Sequence, residues 1–262
     1  MQSDFTIIQH KFPKRNDIRI YPIGDVHLGA AEHMAAEWER FCDSVLEDPN
    51  AYLVILGDLL NNATRSSVSN VYEETMRPRD AKRLMCDMLA PLRERILVFV
   101  SGNHEKRSLR DADDDPTYDI ACKLDLESLY RENIAFVKIQ MGERLHTKGL
   151  ERPTYTLVVT HGAGGGALTG SAVNKSERFG YVVDGADALI LGHTHKPFIT
   201  QPNKIFIDPR NNRVSFKPFK VISCTSWLSW GGYAAQKMLA PTSHAPQIIT
   251  LCGKRKELRV QM

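Results

Sequence analysis

Five apolar runs of four to six residues in this chain stop on the same kind of side chain. Residues 18–23 run into Gly24-Asp25-Val26-His27, and residues 52–56 (YLVIL) into Gly57-Asp58. Residues 96–100 run into Ser101-Gly102-Asn103-His104-Glu105, residues 156–160 into His161-Gly162, and residues 188–191 into Gly192-His193-Thr194-His195. Runs this short, bounded by glycine, read as buried strands. Between them, residues 34–46, 78–92 and 118–130 carry apolar side chains at helical spacing, and Pro78 suits the first turn of its helix. Strands alternating with helices call for an α/β fold whose sheets are covered by helices. In such a fold the carboxyl ends of the strands open on one crevice, so five turns distant in sequence are expected to meet there. The glycines are expected to permit tight turns that aim the next side chain into it.

Composition narrows the class further. With 262 residues, 42% of them apolar and 25% charged, the chain can bury a large core and is neither disordered nor membrane-embedded. Lys and Arg number 34 against 31 Asp and Glu, a net charge of +3, which lacks the basic excess of a general nucleic-acid coat. None of the five cysteines forms a C-x-x-C pair, so they are expected to be reduced, buried thiols. Residues 1–12 show no secretory signal, and no run approaches the about 18 apolar residues of a membrane span. A cytoplasmic location is expected. The last third changes character: residues 198–219 alternate strands with the turn residues Asn203, Asp208-Pro209 and Asn211-Asn212. Residues 247–252 and 258–261 flank a polar turn, so both stretches read as antiparallel hairpins. No repeat or linker interrupts the chain, and a single domain over residues 1–262 is expected.

The residues at the five strand ends form a coherent donor set. Carboxylates, imidazoles and an amide oxygen suit borderline divalent ions such as Mn²⁺, Fe²⁺ and Zn²⁺, and the lack of thiolates argues against a structural zinc site. Of nine histidines, five lie in these segments: His27, His104, His161, His193 and His195. Any one of the turns alone is an ordinary polar loop. Five in succession point to a metal centre.

In these residues the sequence resembles the calcineurin-like metallophosphoesterase superfamily, whose blocks are D-x-H, G-D, G-N-H-[DE], a lone H and G-H-x-H. All five are present between Asp25 and His195. The resemblance implies two stacked mixed β-sheets flanked by helices, an α/β sandwich. It implies one divalent ion on Asp25, His27 and His195, a second on Asn103, His161 and His193, and Asp58 bridging both, with Mn²⁺ expected and Fe²⁺ or Zn²⁺ as alternatives. It further implies hydrolysis of a phosphodiester or phosphomonoester by a metal-activated hydroxide. His104 is expected to be no ligand but a catalytic acid beside the leaving oxygen. The expected partner is a phosphoester substrate, with nucleotides and nucleic acids as candidates. A DNA or RNA nuclease and a catalytically silent metal-binding scaffold are the alternative readings. Asp25-Val26-His27-Leu28-Gly29 looks like the D-x-H-L-G of the DNA-repair nuclease branch.

One departure stands out. The protein Ser/Thr phosphatase branch has G-D-x-x-D-R-G, whereas this chain has Gly57-Asp58-Leu59-Leu60-Asn61-Asn62. The acid that orients the catalytic histidine and the arginine that holds phosphate are both missing there, which argues against a protein phosphatase and for a diester. Near the site, Lys106-Arg107-Ser108-Leu109-Arg110 reads as a solvated loop balanced by Asp111, Asp113, Asp114 and Asp115, with phosphate binding as the alternative. Residues 162–167 read as a glycine-rich loop on the site's rim. Trp227 and Trp230 read as core or subunit-contact residues, with stacking on a base or sugar as the alternative. Residues 253–256 read as a charged hairpin tip.

Overall fold

The five apolar runs are strands, distributed over two six-stranded sheets. The structure, a computed structural model, describes residues 4–65, 67, 71–142, 152–166 and 168–262, with the backbone alone for Tyr233. In chain order, β1 (Ile7–Phe12) and β2 (Asp17–Ile23) precede α1 (Ala35–Glu47) and β3 (Ala51–Ile55). Then come α2 (Pro78–Leu89), β4 (Ile96–Val100), α3 (Glu105–Ala112), α4 (Pro116–Lys123), β5 (Tyr130–Arg131) and β6 (Ile134–Met141). Next follow β7 (Thr154–Thr160), α5 (Thr169–Val182), β8 (Ala188–Leu191), β9 (Phe198–Thr200), β10 (Asn203–Asp208) and β11 (Arg213–Pro218). The last elements are β12 (Lys220–Ser223), α6 (Gly232–Gln236), β13 (Ile248–Cys252) and β14 (Leu258–Gln261).

One sheet has the order β14-β13-β2-β3-β4-β5, parallel from β2 to β5 and antiparallel at β13. The other has the order β1-β6-β7-β8-β12-β9 and mixes parallel pairs (β1 with β6, β7 with β8, β8 with β12) with antiparallel ones. Both sheets are therefore mixed, as expected. Strand alternation sorts their side chains into layers. Ile18, Ile20, Val54, Leu56 and Val98 from the first sheet meet Val137, Leu157, Val159, Ile190 and Ile222 from the second in one buried cluster. On the other side of the first sheet, Ile23, Leu53, Ile55 and Phe99 pack under Trp38, Val45, Met85 and Ile120 of α1, α2 and α4. On the far side of the second sheet, Val158, Leu189 and Val221 pack with Ala172 of α5. The order of layers is helices, sheet, sheet, helix.

Several sequence expectations are corrected. The helix expected over 118–130 is α4, and it begins earlier because the Asp115 carboxylate accepts from the amides of Thr117 and Tyr118, with Pro116 in its first turn. It ends at Lys123, and Asp125 takes φ +57°. The helix expected over 78–92 is α-helical only to Leu89; Pro91 lacks the amide to continue it, and residues 90–95 tighten into a 3₁₀ turn. The basic stretch read as a loop is helix α3. Strands β1 and β12 and helix α5 were not anticipated. Trp227 is buried, its ring packed on Trp38 and Phe41 at 5.1 and 5.0 Å, which removes it as a base-stacking surface; Trp230 is exposed. All five cysteines are free thiols. Among the described residues no helix is long and apolar enough to cross a membrane.

A single hydroxyl ties the two sheets together at one edge. Tyr155 Oη, from β7, lies 2.7 Å from Cys252 O and 3.0 Å from Glu257 O, and accepts from Glu257 N at 2.9 Å. These groups belong to the β13–β14 turn, so the tip expected to be merely charged is anchored from below. Tyr155→Phe leaves the Glu257 amide unpaired beside a buried ring. It is expected to lower unfolding free energy by about 1–3 kcal/mol, read as a lower urea midpoint with unchanged slope.

Candidate metal centre

Every one of the five turns reaches the same crevice, because the strands that feed them run parallel and end at the same level. The mechanism of aiming differs from the expected one. The ligand-type residues themselves take the left-handed conformation: Asp25 (φ 53°), His27 (50°), Asp58 (50°), His193 (71°) and His195 (53°). Such backbone costs on the order of 1–3 kcal/mol per residue and clusters at functional sites. Gly57 (φ 83°) and Gly162 (φ 96°) do take the expected turn conformation, and glycine also allows close approach. A Cβ on Gly102 would collide with the backbone amide and carboxylate of Asp58, and one on Gly57 with the backbone of Gly102.

The two carboxylates divide their oxygens in the same way. Asp25 Oδ2 accepts from His193 N at 2.8 Å, and Oδ1 accepts no hydrogen bond although fully buried. Asp58 Oδ1 accepts from His104 N at 2.8 Å, which leaves Oδ2 facing the histidines. Around Asp25 Oδ1, His195 Nε2 lies at 3.3 Å and His27 Nε2 at 3.8 Å, and the two ring nitrogens are 3.1 Å apart. Around Asn103 Oδ1, His161 Nε2 lies at 2.9 Å and His193 Nδ1 at 2.6 Å; these nitrogens are 3.2 Å apart, and Asp58 Oδ2 is 3.4 Å from His161 Nε2. An ion bound at about 2.0–2.2 Å from each donor spaces its donors by roughly 3–3.6 Å. By that measure the spacings of 3.1–3.4 Å in each set suit a divalent ion, while His27 stands wider from Asp25 at 3.8 Å and His193 closer to Asn103 at 2.6 Å. The seven residues singled out from the sequence are thus brought together in two donor sets.

Electrostatics agree with this reading. Burial drives His27 well below its ordinary value and keeps the imidazole neutral, the form that ligates metal. Burial and the neighbouring His161 lower His193 in the same sense. Burial raises Asp25 and Asp58, but the surrounding imidazoles outweigh it, holding Asp25 at about 2 and Asp58 well below the carboxylate range. Burial lowers His161, yet Asp58 prevails and takes it to about 9, so a proton there answers the carboxylate as a cation would. His161 Nδ1 lies 2.7 Å from Leu56 O, a backbone contact that fixes the ring.

His104 stands apart from both sets. Its Nδ1 donates to Asn61 O at 2.6 Å, so the missing acid of the G-D-x-x-D-R-G pattern is replaced by a main-chain carbonyl. Its Nε2 is 3.7 Å from Asp58 Oδ2 and accepts from Arg107 Nη2 at 2.9 Å. His27, Asp58 and His104 also lie close enough to suggest a third ion. A guanidinium that near to Nε2 argues against a cation there. Arg107 Nη1 donates to Asn61 O at 3.2 Å. An arginine therefore does reach His104, from α3 rather than from the segment after Asp58. Its neighbours point elsewhere: Lys106 Nζ donates to Asn133 and Arg110 pairs with Asp111. Residues 162–166 form a mostly exposed loop after His161, and Ala167 lies outside the described residues.

Two side chains that the sequence reading gave no role hold this arrangement. Glu105 is fully buried; Oε2 accepts from Asp58 N at 2.9 Å and Gly102 N at 3.2 Å, and Oε1 from Leu60 N at 3.0 Å. Burial and nearby Asp58 push its carboxyl up to about 7, against the pull of the Leu60 amide and of His161. Asn62 Nδ2 donates to His104 O and to Ser108 Oγ, both at 2.9 Å, and so joins α3 to the loop. Nothing in the sequence marked Asn62. Glu105 was visible only as the last letter of its block.

The model of the calcineurin-like phosphoesterase family matches residues 18–197. No curated protein matches the chain. Among solved structures, a metallophosphoesterase from Sphaerobacter thermophilus is 13% identical, with 93% of this chain and 87% of that one covered at a TM-score of 0.39. A conserved uncharacterized protein of Streptococcus pneumoniae TIGR4, described as a predicted phosphoesterase, is 12% identical, with 94% and 98% covered at 0.36. A calcineurin-like phosphoesterase from Bacillus subtilis is 12% identical, with 93% and 88% covered at 0.34.

Glu105→Gln places an NH₂ group where one oxygen now accepts backbone amides, so at least one amide loses its acceptor. The variant is expected to be less stable by about 1–3 kcal/mol, measured by urea unfolding. Wild-type stability in the variant would remove Glu105 as the tie between the two loops.

Proposed function

The chain belongs to the calcineurin-like phosphoesterase family, and from that premise we propose that it hydrolyses a phosphodiester with two divalent ions held in the strand-end crevice. The observation that carries the reading is the position of Asp58. Its Oδ2 lies 3.9 Å from His27 Nε2 in one donor set and 3.4 Å from His161 Nε2 in the other. On this reading Asp25, His27 and His195 hold one ion, Asn103, His161 and His193 hold the second, and Asp58 is shared. Mn²⁺ is the proposed ion, with Fe²⁺ and Zn²⁺ as alternatives, because imidazole, carboxylate and amide donors without thiolate suit that group. The bound ions supply Lewis acidity and activate water for attack on phosphorus. A reducing compartment such as the cytoplasm is in keeping with the five free thiols.

His104 is proposed to serve the leaving oxygen. With Nδ1 committed to Asn61 O, Nε2 is the nitrogen directed into the cleft. Arg107 is proposed to give up its contact with Nε2 for a non-bridging phosphoryl oxygen, while its second nitrogen stays on Asn61 O. The diester preference was first read from a missing arginine, and Arg107 removes that premise. It now rests on the limited supply of charge, since the one guanidinium at His104 is already shared among its partners. A diester monoanion needs less neutralisation than a monoester dianion.

Asp58→Asn and His104→Ala separate the roles. Asp58→Asn is expected to weaken both metal sites and abolish Mn²⁺-dependent hydrolysis. His104→Ala should keep two metals per chain by elemental analysis while losing about 10²–10⁴-fold in rate, more with poor leaving groups. Full metal content in Asp58→Asn would sink the shared position, and loss of a metal in His104→Ala would make that histidine a ligand. For the substrate class, bis(p-nitrophenyl) phosphate should be cleaved faster than p-nitrophenyl phosphate with Mn²⁺; the reverse order would point to a phosphatase.

A further inference from the structure

The ribbon formed by β10 and β11 faces the opposite way from most surface hairpins. Its register pairs Ile205 with Phe216 and Ile207 with Val214. Residues two apart on a strand share a face, so these four side chains stand together. They are 69%, 70%, 67% and 66% exposed, in that order. The other face carries Lys204, Phe206, Ser215 and Lys217, and it is the one turned toward the body. Lys204 Nζ donates to Val183 O and sits 4.8 Å from the Phe219 ring, and Lys217 Nζ lies 3.1 Å from the ring of Phe206. Antiparallel strands usually put the apolar face inward and the polar face to water. Here Lys204 is folded against the protein, Lys217 lies over Phe206 within the ribbon, and the apolar face is offered to solvent.

The ribbon also has no sheet of its own to join. Among the described residues it is a two-stranded sheet, with the outer edges of β10 and β11 both unpaired. Such a ribbon is at best marginally stable alone, and bare edges invite another chain. Topology puts it far from the crevice. β12 runs parallel to β8, whose carboxyl end carries Gly192 and His193, and β9 runs antiparallel to β12. Thr200 and Lys220, between which the ribbon is inserted, therefore lie at the opposite end of the sheet from the metal centre.

We propose that this face is a self-association surface, covered by the same face of a second copy of the chain in a two-fold dimer. The four side chains carry no charge, so they offer nothing to select a partner of opposite sign, and their best complement is another uncharged apolar face. An isologous contact uses one patch twice and closes on itself. The four residues expose about 500 Å² per copy, so self-pairing hides on the order of 1,000 Å² in total, the size at which specific interfaces begin. The pairing leaves both crevices open, and it stands apart from the catalytic reading.

Sedimentation velocity of the full chain over a wide concentration range tests it. The wild type is expected to be a dimer, the Ile205→Lys, Phe216→Lys double variant a monomer, and Ser215→Lys on the opposite face still a dimer. Hydrolysis and circular dichroism should be the same in all three, since the ribbon is remote from the crevice. Should the double variant misfold, Ile205→Ser is expected to raise the dimer dissociation constant by about tenfold. A monomeric wild type, a dimeric double variant, a monomeric Ser215→Lys or an unchanged constant in Ile205→Ser would each overturn the proposal. Binding of a monomeric wild type to phosphatidylcholine vesicles, lost in the double variant, would overturn it in favour of a lipid surface.

Discussion

The crevice depends on one buried carboxylate that is spent on main-chain amides. Glu105 gathers the amides of Asp58, Leu60 and Gly102 onto two oxygens and so fixes the loop after β3 against the loop after β4. Once those loops are locked, Asp58 Oδ1 meets the His104 amide, and Asp58 Oδ2 has only one direction left. Asp25 is set by the same device on the other side, with Oδ2 on the His193 amide. A main-chain hydrogen bond to one oxygen of each acid is what orients the other, the usual way in which outer contacts position ligand-type side chains.

That dependence explains why the backbone is allowed to be strained where it is. Left-handed φ at Asp25, His27, Asp58, His193 and His195 would not persist in free loops. It persists here because the strand leading into each turn is fixed in the core, where Ile20, Val54, Leu56 and Ile190 are fully buried. The close backbone approach between Gly57 and Gly102 belongs to the same economy: a methyl group on either would part the loops that Glu105 joins.

Much of this was legible in the sequence, and the reasons for the rest are physical. The strands 96–100 and 188–191 were read to the residue, since continuous apolar runs ended by glycine leave little choice. Asp25, His27, Asp58, Asn103, His161, His193 and His195, which the fold brings together, could be singled out because they follow glycine-bounded strand ends and match the family's blocks. What failed was local. Helix α3 was hidden by a stretch almost without apolar residues, and the early start of α4 by an Asp-Pro cap whose hydrogen bonds form only once folded. The carbonyl of Asn61 takes the place of a missing acid, and a main-chain group leaves no trace in a residue pattern. Arg107 reaches His104 only because α3 is a helix, which turns it inward while Lys106 and Arg110 point elsewhere.

The crevice is also assembled from distant parts of the chain, and this bears on how it comes into being during synthesis. His195 meets His27 across 168 positions, and the amide on Asp25 comes from as far away. β13, which lies between β14 and β2 in its sheet, begins only at Ile248. Long-range pairings of this kind form late and together. During synthesis, a chain that has not yet reached His193 and β13 has the first Asp and His of the centre but neither its opposing wall nor the strand that flanks β2. The side chains of the crevice converge only once both have been made.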